Sequence, residues 1–297
     1  MNRKELLVVS RNTLKEFGKD DVSLLAAGLT YYSFLSLFPL LLLAVTLAGI
    51  FLKPDDATKL IFQDVAIAAP GATDLLSEAV AEAFNNRSNA GLLALAGIGL
   101  LAFSASGAFG TLDKAINRAW GTEKVPGFIV ARLISFVMML GVAGLLVVSL
   151  VVSTVLTRIR SATSALIGEV PGDQVFWQIV TAGASLGLVF LVFLLQYWFV
   201  PRADVHIRDA WPGALLASVA WVILKELYAL YLGSQFANYG AVYGTMASVI
   251  ALLTWIYLSS MIILGGAEFA SETQRVRKLR ADLIGAGQAE GQESPWF

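Results

Sequence analysis

The run VFWQIVTAGASLGLVFLVFLLQYWFV, residues 175–200, contains no charged side chain. A helix needs about 20 apolar residues to cross a hydrocarbon core about 30 Å thick, so this run reads as a transmembrane helix. Five further blocks reach the same length, at Leu29–Leu52, Leu92–Leu112, Leu133–Leu156, Ala210–Leu232 and Val242–Phe269. Their apolar residues are continuous and not confined to one helical stripe, which is the pattern of a membrane span and not of a soluble amphipathic helix. The fold class expected is an all-α membrane protein, with six transmembrane helices in one bundle over residues 21–272. An amphipathic cytoplasmic or interfacial helix precedes it at 1–20, and a partly disordered cytoplasmic tail follows at 273–297.

Composition agrees. Of 297 residues 57% are hydrophobic and 14% charged, against roughly 25% charged in a soluble domain, so the chain has too little polar surface to coat a globule. Cysteine is absent, which removes disulfides, thiolate metal sites and cysteine nucleophiles. His206 is the single histidine, and the net charge of -1 does not provide the broad cationic surface that nucleic-acid binding needs. The opening residues are mixed polar and basic, and the first apolar block exceeds the length of a signal-peptide core; that block is expected to serve as an uncleaved anchor.

An even number of crossings leaves both termini on one side, and Lys and Arg in short loops stay in the cytoplasm. The segments before span 1, after spans 2 and 4, and after span 6 carry fifteen basic residues, among them Arg3, Arg11, Lys114, Arg118, Arg202 and Arg275. The opposite set carries five: Lys53, Lys59, Arg87, Arg158 and Arg160. Both termini are therefore expected on the cytoplasmic side of the membrane. The loop at 53–90 is too long for a turn; Leu75, Leu76, Ala79, Val80, Ala83 and Phe84 mark one apolar stripe of a short outer helix in it, and a similar feature is expected at 159–168. Residues 3–19 repeat apolar positions at helical spacing, which fits either an interfacial helix or one packed on the bundle.

The stretch Ala26-Ala27-Gly28-Leu29-Thr30-Tyr31-Tyr32-Ser33-Phe34-Leu35-Ser36-Leu37-Phe38-Pro39-Leu40 resembles the opening signature of the YihY/BrkB family of bacterial inner-membrane proteins. Phe199-Val200-Pro201-Arg202 leading to Trp211-Pro212-Gly213-Ala214, and Tyr239-Gly240-Ala241-Val242-Tyr243-Gly244 leading to Trp255-Ile256-Tyr257-Leu258 and Gly265, Ala267 and Glu268, agree with it. The resemblance runs from about residue 20 to about 272 and implies a six-span inner-membrane fold. It does not fix an activity: members have been labelled ribonuclease BN, a label read as historical mislabelling, and virulence factors, and some are suspected of handling envelope lipids.

Residue types bear on the ribonuclease label. Metal-dependent hydrolysis needs clustered His, Asp or Glu, and metal-free RNA cleavage usually needs histidine acid–base chemistry. One histidine, in the short loop Pro201–Asp209 among charged neighbours, supplies neither, and His206 is expected to be a surface residue. The chain is expected to be no enzyme, to take no cofactor or metal, and to bind no nucleic acid.

Lys225-Glu226 is the charged pair within a span, and charge at membrane depth is costly enough to be read as functional. Adjacent residues on a helix point about 100° apart, so the two are not expected to pair simply with each other: Lys225 is expected to reach for the outer interface while Glu226 faces inward and lines a cavity. Pro39 in span 1 removes a backbone hydrogen bond and predicts a kink, for packing or for gating. Tyr31, Tyr32, Tyr239 and Tyr243 are either interface anchors or cavity-lining groups. Asp113, Lys114, Asn117 and Arg118 follow span 2 with alternating charge on one expected helical face, as a salt-bridged helix end, a gate or an anionic-headgroup site; Glu268, ending span 6, is placed to pair with them. Small residues spaced four apart, Ala102, Ser106 and Gly110, Gly183 and Gly187, Gly213 and Ala217, and Gly240, Gly244 and Ser248, allow close helix packing. The function expected is a transporter or lipid-handling protein of the cell envelope whose partners are membrane lipids. The alternative is a non-transporting scaffold for envelope proteins, and a homo-oligomer is compatible with either.

Overall fold

A computed structural model describes residues 3–51, 107–122, 173–232 and 246–292, with short pieces at 130, 133, 152, 155–156 and 158–163. Within them the side chains of residue 3, 37–51, 173–174 and 284–292 lie outside the described set. All described regular structure is helical: α1 (Arg3–Lys19), α2 (Val22–Phe51), α3 (107–119), α4 (Asp173–Phe199), α5 (Ile207–Leu232) and α6 (Ala247–Gln292). Three of these, α4, α5 and α6, are long and apolar enough to cross a membrane, and the described part of α2 is apolar over Val22–Ser36. The expected spans at 92–112 and 133–156 fall largely outside the described residues, as do the outer helix at 53–90 and the second half of the feature at 159–168, whose first half is helical.

Among the described elements α6 packs against α5, α2 and α1, while α4 packs against α5. The buried cluster between them is rich in alanine: Ala26 from α2, Ala115 and Ala119 from α3, Ala210, Ala214 and Ala217 from α5, and Ala267 and Ala270 from α6. Small side chains let backbones approach, and in lipid, where hydrophobicity does not drive helices together, close approach is the main source of attraction. The α5/α6 crossing shows how close. A Cβ on Gly213 would lie 2.3 Å from the Gly266 carbonyl oxygen, and one on Gly266 would meet the Tyr197 hydroxyl and Ala217. Large apolar side chains such as Ile179 on α4 and Leu227 on α5 point outward and are exposed, the arrangement of a surface solvated by lipid tails.

α1 packs on the bundle along one side. Val9 and Thr13 are buried, Phe17 contacts Gly265 of α6, and Glu5 accepts a hydrogen bond from Arg280 at 2.7 Å. The twelve residues from Glu5 to Phe17 span about 18 Å and the fifteen from Gly265 to Arg280 about 22 Å, so α1 lies antiparallel along α6. The chain then reverses at Asp20-Asp21, where Asp21 has φ +52°, a left-handed conformation that Asp tolerates better than most residues. The Asp21 carbonyl accepts from Leu24 and Leu25 and starts α2.

α2 is helical through Pro39 to Phe51, ending within a residue of the expected span. One boundary differs from expectation: α6 does not stop near Phe269 but runs to Gln292. The tail after Leu283, expected to be disordered, is helical to that point, although Gly285, Gly287 and Gly291 each lower its helix propensity.

Candidate functional site

The charged ends of α3, α5 and α6, the α1–α2 turn and the connector 200–206 meet at one end of the bundle. Its hub is Asn117, buried on the last turn of α3. The Asn117 side-chain nitrogen donates to the Asp113 carbonyl at 2.8 Å, and its oxygen accepts the backbone N–H of Arg202 at 2.8 Å and the Thr122 hydroxyl at 3.0 Å. Gly121, at φ +65°, gives the left-handed residue that closes α3 and turns Thr122 back onto Asn117. The Arg202 guanidinium in turn donates to the buried Asp113 carboxylate. One asparagine and one aspartate four residues apart thus clamp the connector between α4 and α5.

A second set of bonds fastens α6. Trp120 Nε1 donates to Gln274 Oε1 at 2.8 Å, and Gln274 Nε2 donates to the Asp204 carbonyl. Arg275 donates to Glu272 and to the Ala119 carbonyl at the end of α3. Arg277 donates to Asp209 at 2.8 Å and to the Arg208 carbonyl at 2.6 Å. That last bond has a sequence cause. Pro212 lies inside α5 and has no N–H to offer the carbonyl four residues back; that carbonyl is Arg208's, and Arg277 takes the place of the missing donor.

Asp113, Lys114, Arg118 and Glu268 are all at this end, but they do not form the alternating-charge face expected of them. Asp113 turns inward to Arg202, Lys114 is exposed, and Arg118 reaches back to Asp21 at 3.3 Å and Asp20 at 3.5 Å. Positions five apart lie about 140° apart on a helix, so Asp113 and Arg118 serve different neighbours. Glu268 does not join Asp113 either. It is 2% exposed, its Oε2 is buried without a hydrogen-bond partner, and the charged groups facing it are Asp20, Arg275 and Glu16. Close by, the exposed Lys19 bonds Glu16, which holds its ammonium above the usual lysine range.

Lys225 and Glu226 lie toward the other end of α5, about 27 Å along the helix from Ile207 at 1.5 Å per residue. Two expectations are corrected here. The neighbours do pair, Lys225 Nζ to Glu226 Oε1 at 3.3 Å, and the Glu226 side chain is 66% exposed where an inward position was expected. Rotation by 100° separates the two Cα–Cβ directions, but both side chains are long enough to bend back. Exposed Ile223, Leu227 and Leu230 surround them.

The other sequence candidates divide. Tyr31 is exposed and stands edge-on to Tyr32 at 5.5 Å; the Tyr32 ring covers Gly107 of α3, a packing contact. Pro39's side chain, Tyr239 and Tyr243 lie outside the described residues. Gly213 and Ala217 sit in a tight seam, whereas a Cβ on Gly183 or Gly187 would meet nothing within 4 Å among the described residues. His206 is exposed, and its carbonyl accepts from Asp209 and Ala210 to begin α5. Among the described residues no group of three His, Cys, Asp or Glu could hold a metal ion.

Sequence reasoning missed Tyr197, fully buried with its hydroxyl donating to the Ile263 carbonyl at 2.6 Å, and Tyr228, whose hydroxyl donates to Ala251. It also missed Gln274 and Arg277. A polar run directly after an apolar block, Ser271-Glu272-Thr273-Gln274, reads as solvated tail in sequence; its burial comes from α1 and the connector folding over it.

The profile of the family described as Virulence factor BrkB matches residues 13–290. A Bacillus subtilis protein named Putative ribonuclease-like protein YfkH is 31% identical over 255 residues, 86% of this chain and 90% of that protein. A UPF0761 membrane protein of Alteromonas mediterranea is 31% identical over 263 residues, 86% of this chain and 84% of its own length. One from Nitrosospira multiformis is 27% identical over 272 residues, 91% of this chain and 62% of its own. No solved structure matches the chain.

Proposed function

Because this chain belongs to the Virulence factor BrkB family, a family of membrane proteins by the names of its UPF0761 relatives, we propose that it is a six-span bacterial inner-membrane protein that moves amphipathic envelope lipids. Its charged end faces the cytoplasm. The observation that carries the reading is Lys225–Glu226, an ion pair on the outward surface of α5 among exposed apolar side chains. No described element covers that carboxylate, so it would face lipid, and a position about 27 Å from the charged end brings it to the opposite headgroup layer. An ammonium beside a carboxylate complements the phosphate and amine of a phospholipid. The clamped connector and the Asp113–Arg202 pair form the closed latch of the cytoplasmic end.

The test is lipid redistribution in proteoliposomes carrying the purified protein. Wild type is expected to exceed empty vesicles, and Glu226→Gln to slow transfer by about tenfold, the equivalent of roughly 1.4 kcal/mol. Equal rates for wild type, variant and empty vesicles would overturn the reading.

A scaffold without transport has one specific observation in its favour. Leu7 and Leu14 of α1 and Leu279 and Leu283 of α6 are exposed beyond the apolar block, where lipid does not cover them and another protein would. The ribonuclease-like name of the Bacillus relative belongs to that protein; the absence of clustered acid–base groups in the sequence of this one motivates no nuclease reading.

A further inference from the structure

α1 is apolar on two faces, and α6 covers one of them. Val9 and Thr13 are buried, and Arg11, midway between them in sequence, points about 160° away from each at 100° per residue. Lys4, Leu7, Val8, Leu14, Lys15 and Gly18 lie within about 60° of Arg11, and all are exposed; Leu7 is 66% and Leu14 77% exposed. Leu7 and Leu14 fall on one flank of Arg11, Lys4 and Lys15 on the other. The acids of the helix point elsewhere, Glu5 to Arg280 and Glu16 to Lys19. The outward half of α1 is therefore a leucine stripe beside a row of cations, without a carboxylate, and none of the described residues covers it.

What can cover such a face depends on its height. Phe17 touches Gly265, near the end of the apolar block of α6. Counting from there, Leu14 stands about 4.5 Å, Arg11 about 9 Å and Leu7 about 15 Å further out. A headgroup layer is about 5–8 Å deep, and tilting the helix pair by about 40°, the steep limit for a span, lowers Leu7 only to about 11 Å. Lipid reaches Leu14 and Lys15 and leaves Leu7 and Lys4 in water. A second copy of the chain fits no better, because a two-fold contact sets one surface against itself and brings Arg11 and Lys15 onto their own counterparts. An acidic partner answers both the height and the charge.

We propose that the outward face of α1 docks an amphipathic helix of a cytoplasmic protein, with its apolar stripe on Leu7 and Leu14 and its carboxylates on Lys4, Arg11 and Lys15. Leu7 and Leu14 are about 10 Å apart along the axis, so the partner presents apolar residues seven apart over about three turns. Leu279 and Leu283 of α6, exposed within one turn of the Arg280 that bonds Glu5, extend the apolar surface at the far end of the helix pair. The leucines supply contact that excludes water, as in other helix-docking surfaces, while the cations steer encounter and fix register. The docking surface stands whether or not the molecule moves lipid; only the cytoplasmic origin of the partner rests on the topology proposed above.

The test uses the full chain in intact native cells. p-Benzoylphenylalanine replaces Leu7 or Leu14, and after irradiation the cross-linked peptide is sequenced by mass spectrometry. Both positions should trap the same helix, with Asp or Glu flanking apolar residues seven apart. A synthetic copy of that peptide should bind the purified protein in lipid nanodiscs, and Arg11→Glu combined with Lys15→Glu should weaken it by about tenfold or more, while Arg11→Lys binds as wild type does. Should the charge reversal disturb folding, Arg11→Gln with Lys15→Gln reads the same loss in smaller measure. Adducts with lipid alone, with a second copy of this chain or with a segment lacking carboxylates overturn the proposal. So does the absence of any adduct at both positions, or a peptide whose affinity ignores the charge at positions 11 and 15. An acidic-helix adduct in a protein whose Lys15→Cys is labelled from outside the cell overturns only the topology.

Discussion

Arg277 and Pro212 give the sharpest residue-level test, because one repairs what the other leaves open. Arg277→Met strips a donor from the Arg208 carbonyl and strands the buried Asp209 carboxylate, and should destabilise by about 2 kcal/mol, the range of hydrogen bonds to charged groups. Pro212→Ala restores an N–H to the Arg208 carbonyl, so the double variant should be more stable than the sum of the two single effects predicts. Unfolding in detergent, analysed as a double-mutant cycle, measures this; strict additivity would mean that the guanidinium does not substitute for the missing donor. The Asp113–Arg202 pair is asymmetric. Arg202→Ala abandons a buried carboxylate and should cost about 2–3 kcal/mol, whereas Asp113→Asn leaves a half-buried guanidinium with access to water and should cost about 1 kcal/mol. Thermal unfolding of the two variants decides the order. The sequence showed that Asp113, Arg118 and Glu268 lie at one end, since each closes or follows an apolar block. It could not show their partners, because Arg202 is 89 residues from Asp113 and Asp21 is 97 from Arg118, and spacing along a helix says nothing about what approaches from another.

At the level of elements, glycine spacing marked candidate seams without telling which were occupied. Gly213 and Gly183 look alike in sequence, each with a small residue four positions on. In the structure Gly213 meets the backbone of α6 and Gly183 meets nothing, because α5 is wedged between α4 and α6 while Gly183 sits where no described element approaches. Gly213→Ala should therefore force α5 and α6 apart and cost about 1–3 kcal/mol. Gly183→Ala should be neutral or stabilising by up to about 1 kcal/mol, as expected for removing a helical glycine. Equal losses of thermal stability in the two variants would contradict the packing described. Helix lengths were less legible than helix positions. Hydropathy locates the part of α6 that sits in hydrocarbon but is blind to the polar turns beyond it, which stay helical because α1 and the connector cover them.

On the scale of the whole molecule, the sequence and the structure each constrain topology in a different way. Basic residues divide unevenly between two sets of segments, and this asymmetry assigns a side of the membrane without requiring that the segments touch. The structure joins four of them directly: the α1–α2 turn to α3 through Arg118, α3 to the connector through Asp113 and Arg202, and α3 and the connector to α6 through Arg275 and Gln274. Segments bonded to one another share a side, which is what the proposed six-span topology requires of them. Contact alone cannot say which side that is; the proposed topology takes it from the charge asymmetry and puts it in the cytoplasm. Single cysteines at Lys15, Leu279 and Glu226 in this cysteine-free chain test the combined claim in intact spheroplasts. A membrane-impermeant maleimide should label Glu226→Cys from outside, and should reach Lys15→Cys and Leu279→Cys only after the cells are opened. Labelling of Lys15→Cys from outside would invert the molecule, and labelling of Lys15→Cys and Leu279→Cys from opposite sides would be incompatible with the Glu5–Arg280 contact that holds α1 along α6.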